Sequence, residues 1–413
     1  MARAERFHFS HSRKIDSADR HVSAAAEAGV ILQTAKGPNG RHVQVDGKRL
    51  LSFGSCSYMG LEMLPELRDS AHRAIDEYGT QFHFSRAYLQ CPLYLELEEL
   101  LERMTGRPTL VAASTSLAHM AALPVLVREG DSLIIDQFAH ASLHTAVQLL
   151  PSIPLQILRH NRMDLLEEQL KKAQNSRGVV WYLADGLYSM LGDFAPFEEL
   201  KQLLFKYDNL RLYIDAAHST SWIGTHGRGK ALEHFRGDER VVVVLSLNKA
   251  FSAAGGALAL PNREILATIR RCGGPMLFSG PVQPPMLGAA VGSARLHLSP
   301  GFEQLQAGLR DRLDFALAVI ERGGLTLSTP ARSPIFQAHC DSPRIAFSVV
   351  EAMRERGFHC CVCVFPAVPM NRPGIRFTVT RYNDPADIEM FIEALQEELE
   401  RTAPALGSVA SVA

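Results

Sequence analysis

Two stretches decide the fold: LRLYIDAAH at 210–218 and VVVVLSLNK at 241–249. Each is a short apolar run that ends in residues with chemistry to offer. The first leads into Asp215 and His218, the second into Asn248 and Lys249. Apolar runs without alternation suit strands buried on both faces, as in a parallel sheet covered by helices. The pattern repeats outward. TLVAAS from 109, SLIIDQ from 132, LQILRH from 155 and VVWYLADG from 179 are similar runs. Amphipathic stretches such as MDLLEEQLKKAQ at 163–174 separate them. The alternation predicts an α/β unit with a mainly parallel sheet and helices on both faces.

The flanks read differently. Residues 1 to 45 are polar and irregular, closing in the turn-like GPNG at 37–40. HVQVDGKRLLSF at 42–53 is a hairpin around Asp46-Gly47. Residues 64–104 are helical by periodicity, and 300–322 read as one long helix. LTLST, RIAFSVVEAMRERG, CCVCVFPAV, GIRFTVT and PADIEMFIEALQEELERT then form a smaller α+β unit. The expected organisation is an N-terminal segment (1–60), a large domain (61–298), a C-terminal α+β domain (299–400) and a frayed tail (401–413).

Composition excludes several classes. Lys plus Arg number 43 against 44 Asp plus Glu, a net charge of −1, so neither nucleic acid nor an anionic membrane is the expected partner. No signal peptide and no membrane-spanning run is legible. The seven cysteines are odd in number, and Cys360, Cys361 and Cys363 crowd together. Neighbouring strand residues point to opposite faces, so these make a poor metal cage. Incidental reduced thiols in a cytoplasmic chain are the expectation.

Ligands of parallel α/β sheets gather at the carboxyl ends of the strands. There the chain places His140 after SLIIDQ, Ser189 after VVWYLADG, Asp215 and His218 after LRLYID, and Lys249 after VVVVLSL. A lysine past a buried strand is usually a solvated helix-start residue. Here SLNKAFSAAGG puts small residues around it, so backbone can approach something flat. Asp215 ends an apolar run, where an unpaired carboxylate is costly, and no basic residue adjoins it in sequence. A lysine that condenses with an aldehyde, and an acid that pairs with a protonated pyridine, are what pyridoxal phosphate requires. Two local patterns compete. His140 and His144 have the i, i+4 spacing of metal ligands but lack a third, and GTHGRGKA at 224–231 lacks the spacing of a nucleotide loop.

Six motifs together resemble the α-oxoamine synthase family of pyridoxal-phosphate enzymes, within the type I aminotransferase fold. They are DQFAHAS (136–142), DGLYSMLGDFAP (185–196), DAAHSTSWIGTHGRG (215–229), SLNKAFSAAGG (246–256), LFSGPVQPP (277–285) and FPAVPMNRPGIRF (365–377). The resemblance implies that Lys249 carries the cofactor and moves protons, and that Asp215 keeps its ring nitrogen protonated. It implies that His140 stacks on the ring, and that His218 and Ser189 bond its 3-oxygen. Ser114, Thr115 and Ser116 then cradle the phosphate at a helix N-terminus with Ser246. Ser279 reaches the phosphate of the other subunit, which makes the protein a homodimer with shared active sites. Arg376 grips an amino-acid carboxylate.

Around this shell the chain departs from the family pattern. Cys56 and Ser57 stand where asparagines are usual, and Phe84-Ser85-Arg86 where Gly-Ser-Arg is usual. Tyr94 replaces a histidine, His119 an asparagine, Ala216 a common Glu, Gly280 a small polar residue and Asn383 a histidine. Ser57 and Arg86 remain candidate substrate contacts. The implied activity is condensation of an amino acid with an acyl thioester, on coenzyme A or a carrier protein, with loss of carbon dioxide. An aldolase, racemase or aminotransferase reaction on the same fold is the alternative. A non-catalytic partner subunit is disfavoured by the presence of Lys249, Asp215 and His140.

Overall fold

The computed structural model describes residues 13–37, 40–174, 177–329 and 331–407. Its centre is a seven-stranded sheet. The order across it is Thr109–Ala112, Gly256–Ala259, Val241–Ser246, Leu210–Asp215, Val180–Asp185, Ser132–Asp136, Leu155–Leu158. The last five run parallel, and Gly256–Ala259 is antiparallel to both of its neighbours. The strands Val180–Asp185 and Val241–Ser246 are buried at every residue, as the unbroken apolar runs require. Apolar clusters cover both faces. One holds Leu212, Ile214, Val243 and Leu245, the other Tyr213, Val242 and Val244, which is the alternation of a strand seen from its two sides.

A second body packs around Phe53, Tyr58, Phe336, Phe377 and Phe391. It joins the start of the chain to its end. The hairpin strands His42–Val45 and Lys48–Ser52 pair across Asp46-Gly47, both with positive φ, and Phe358–His359 pairs parallel with Lys48–Ser52. The strands Ile335–His339, Gly374–Thr378 and Cys361–Cys363 form a small antiparallel sheet. The helices Phe302–Gly323, Pro343–Glu355 and Pro385–Gly407 complete this body.

Several expectations are corrected. Residues 13–27 form a helix rather than irregular chain, with Ala25 buried in the second core. The helical stretch 64–104 is two helices, Pro65–Tyr78 and Leu93–Thr105, separated at Gly79 with its positive φ and restarted at Pro92. LTLST contributes a single bridge, Leu327 to Ala338, and the strand lies further on at Ile335–His339. The helix Pro385–Gly407 runs into the segment 401–413 expected to fray, of which residues 408–413 lie outside the described residues, as do Pro38 and Asn39 of the turn at 37–40.

Candidate active site

Lys249 follows the strand Val241–Ser246 on a short 3-10 turn, Lys249–Phe251, with φ 49°. A left-handed non-glycine residue costs on the order of 1 kcal/mol. The turn is held by the bond from Ser252 N to Lys249 O (3.0 Å). Asn248 reaches forward so that its carbonyl accepts from Gly255 N at 2.9 Å. The Lys249 charge bears on Asp215, Asp185, His140 and His218, which brings the ends of four strands to one point.

Asp215 is 4% exposed and fully engaged on one side. Ala217 N donates to Oδ1 at 2.9 Å, and His119 Nε2 lies 2.9 Å from Oδ2. Burial opposes the Asp215 anion. The hydrogen bond and charge of His119 outweigh it and hold the carboxyl below its ordinary range. The neighbouring strand sets Asp185 directly beside it in register. Burial, then the charge of Asp215, pushes Asp185 well above the carboxylate range. Two adjacent carboxyls are thereby driven apart, Asp215 held below the ordinary carboxylate range and Asp185 pushed above it. Asp185 Oδ1 accepts from His140 N at 2.9 Å and so fixes the start of the helix Ala141–Val147. The His140 ring is turned by Ser142 (Nδ1 to Oγ, 2.7 Å) and stays exposed.

A cup for an anion lies at the other side of the lysine. The helix Thr115–Leu126 is capped by Ser114, whose hydroxyl accepts from Leu117 N at 3.1 Å. Thr115 N and Ser116 N have no partner among the described residues, as at other anion-binding helix starts. Ser246 ends its strand beside this turn, with Thr115 Oγ1 3.5 Å from Leu245 O. Gly256 closes the cup, since a Cβ there would fall 2.5 Å from Thr115 N.

The third wall comes from the second body. Arg376, on the strand Gly374–Thr378, is 6% exposed. Its Nε donates to Ser189 O at 2.7 Å and its Nη2 lies 3.8 Å from Cys56 Sγ. Among the described residues no carboxylate pairs with it. His218 is buried, and Tyr58 Oη lies 2.7 Å from its Nδ1. Burial, then the charges of Lys249 and Arg376, pushes His218 well below the ordinary imidazole range, so it is neutral. With Tyr58 as donor to Nδ1, the Nε2–H of His218 is free to donate. Ser57 is drawn aside: its hydroxyl donates to Glu62 and lies 3.4 Å from Ser252 Oγ, in a knot beside the lysine turn.

Two further candidates are held in contacts of their own, beginning with Arg86. Its guanidinium donates to Val111 O (2.6 Å), Gln90 and Glu98 and lies flat on the Tyr94 ring at 3.7 Å. It braces the helix Leu93–Thr105 against the sheet. Ser279 lies in the loop after Gly274–Phe278, its hydroxyl 3.4 Å from Gly280 O. Three residues escaped the sequence reading as site components. Asp185 stood at a strand end inside a quoted motif, where the logic that found Asp215 applied. His119 was legible only as a departure, and Tyr58 only as part of a loop.

These residues fit pyridoxal phosphate. An amine, an ionised buried acid, a neutral imidazole donor, an exposed imidazole and an anion cup converge, and Gly256 marks a cradle that a side chain would fill. The comparisons with known proteins agree. The aminotransferase class I and II family matches residues 48–395. An 8-amino-7-oxononanoate synthase of Stutzerimonas stutzeri is 32% identical over 375 residues, covering 89% of this chain and 91% of the relative. Another, of Thermosipho melanesiensis, is 27% identical over 369 residues, covering 89% and 92%. Among solved structures, a serine palmitoyltransferase from S. paucimobilis with bound PLP–myriocin has a TM-score of 0.86 at 21% identity, covering 94% of this chain and 98% of that one. The molecule has the type I fold of pyridoxal-phosphate enzymes, and the chain belongs to the aminotransferase class I and II family, as an α-oxoamine synthase.

Proposed function

We propose that this protein is a pyridoxal-phosphate-dependent acyltransferase that joins an amino acid to an acyl thioester. The carrying observation is the pair formed by Lys249 and a buried, ionised Asp215 beside a helix-start anion cup. Bound pyridoxal phosphate supplies an aldehyde that condenses with amines and a ring that withdraws electrons. The protein's part is then specific. Ser114, Thr115, Ser116 and Ser246 hold the phosphate. Asp215 keeps a proton on the ring nitrogen, which raises the ring's capacity to accept charge. His140 covers one ring face. His218 and Ser189 donate to the ring oxygen. Lys249 would hold the cofactor through its side-chain amine and would accept the amino-acid α-proton.

Arg376 binds the amino-acid carboxylate, because a buried guanidinium without an acidic partner calls for an anionic ligand. In the net reaction a carbon–carbon bond forms between the amino-acid α-carbon and the acyl carbonyl. The thiol leaves, the carboxylate departs as carbon dioxide, and an α-aminoketone remains. The relatives named as synthases support this reading, and the same chemistry covers coenzyme A and carrier-protein thioesters.

The protein acts as a homodimer in this reading. Phe278 is 87% exposed, Tyr88 85% and Leu89 52%, and Ser85 Oγ ties their two loops together at Leu277 O (2.7 Å). An apolar patch of this kind marks an interface, and Ser279 lies within it. Among the described residues no helix is long and apolar enough to cross a membrane; a cytoplasmic location is part of the proposal.

The test is to incubate the holoenzyme with a panel of amino acids and acyl thioesters while measuring free thiol and carbon dioxide. Release of both in equal amounts, dependent on both substrates, is the expected result. Turnover of an amino acid without consumption of any thioester would replace this reaction with an aldolase, racemase or aminotransferase one.

A further inference from the structure

His119 is fully buried on the helix that opens with the anion cup, four residues after Thr115. Four residues of helix advance about 6 Å along the axis, so one rigid element carries both the cup and the group behind Asp215. Its two ring nitrogens are both engaged. Nε2 lies 2.9 Å from Asp215 Oδ2 and Nδ1 lies 3.1 Å from Tyr213 Oη. Tyr213 and Asp215 are two apart on one strand and share a face. With Tyr213 Oη holding Nδ1, the N–H at Nε2 is kept aimed at the carboxylate. Asp215 then has one donor on each oxygen, His119 on Oδ2 and Ala217 N on Oδ1. Held at both oxygens, the carboxylate cannot turn away.

We propose that His119, keyed by Tyr213, is a positioning residue that holds the Asp215 carboxylate as an oriented anion for the ring nitrogen of the cofactor. This rests on reading the cleft as a pyridoxal-phosphate site. His119 touches no substrate and moves no proton in the reaction; it sets how well Asp215 grips a nitrogen-bearing ring. A residue that merely filled the core would affect every ring of the same shape equally.

That difference supplies the test. Apoprotein is titrated with pyridoxal phosphate and with its 1-deaza analogue, in which the ring nitrogen is replaced by C–H, and the two affinities are compared. His119→Leu should weaken pyridoxal phosphate by about 10-fold or more, and should change the analogue's affinity by less than about 3-fold. Tyr213→Phe, which removes one hydroxyl, should shift the ratio in the same direction by a smaller factor. Equal weakening of both cofactors, or of neither, overturns the role. If His119→Leu does not fold, Tyr213→Phe decides: an unchanged ratio overturns the proposal. Wild-type protein that binds neither cofactor at Lys249 strikes instead at the proposed function.

Discussion

Asp215 and Arg376 carry the same physical lesson from opposite signs. Each is a buried charge, and each is tolerable only with a partner. Asp215 finds one within the chain, in His119. Among the described residues Arg376 has the Ser189 carbonyl, the thiols of Cys56 and Cys361 and the Tyr58 hydroxyl about it but no carboxylate, which leaves its charge for a ligand. Two outcomes follow. Asp215→Asn should still take up cofactor, yet turnover should fall by about 100-fold or more, because an amide cannot keep the ring nitrogen protonated by charge. Steady-state rates of the cofactor-loaded variant check this, and unchanged turnover would remove Asp215 from the reaction. Arg376→Ala should lose one charge-assisted pair, on the order of 2–4 kcal/mol, or about 30- to 1,000-fold in amino-acid affinity. Arg376→Lys keeps the charge without the two-point grip and should be impaired as well. Titration with the amino acid, followed by the cofactor's absorption, measures both. Wild-type affinity in a folded Arg376→Ala would make the arginine structural.

Secondary structure was legible wherever periodicity and burial agreed. The six sheet strands called out by apolar runs are present, and the long helix near 300 is Phe302–Gly323. Gly256–Ala259 was missed because GALA has neither alternation nor branched residues. It is a strand by antiparallel pairing with both neighbours, and it starts with glycine because a Cβ at 256 would fall 2.5 Å from Thr115 N. The site's supports were less legible, since they depend on pairings between distant segments. His160 shows this. Its ring bridges Asp136 (Nδ1 to Oδ1, 3.0 Å) and Asp193 (Nε2 to Oδ2, 2.7 Å), and stacks on Phe138 at 4.7 Å between centroids. It thus ties three strand ends together under the loop that carries His140. Burial opposes its charge, but hydrogen bonds to the two carboxylates prevail and raise it from 6.5 to about 9. A raised folded value means the stabilisation is complete below pH 6.5 and is lost as pH climbs through 9. At most this amounts to about 3 kcal/mol. His160→Asn should therefore be clearly less stable than wild type at pH 6.5, with the gap narrowing towards pH 9.5. Thermal unfolding of both proteins across that range checks it; a gap that does not change with pH would mean the ring acts by packing alone.

At the level of the assembled protein, the two ends of the chain meet. Phe53 and Tyr58 share a core with Phe377 and Phe391, and Thr378 N donates to Phe53 O at 2.7 Å. Arg376 therefore arrives over the lysine from a body that the sequence divides between both termini. This is why the carboxylate wall could be expected only through resemblance. A further wall is expected from a second copy. Ser279 shares its loop with exposed Phe278 and has only Gly280 O within hydrogen-bond reach among the described residues. If it serves the partner's phosphate cup, lesions at Lys249 and Ser279 must complement across the dimer. Lys249→Ala and Ser279→Tyr homodimers should each be inactive. In a mixed dimer, the site built on the intact lysine borrows its Ser279 from the Lys249→Ala protomer and carries no lesion, while the other site carries both. Random reassortment makes about half of the dimers mixed, each with one working site, so about a quarter of wild-type activity should return. If Ser279 acts within its own chain, every site of the mixed dimer keeps one lesion and the mixture stays inactive. That result, or a monomer at full rate in dilute solution, would leave the exposed face at Phe278 without a catalytic purpose.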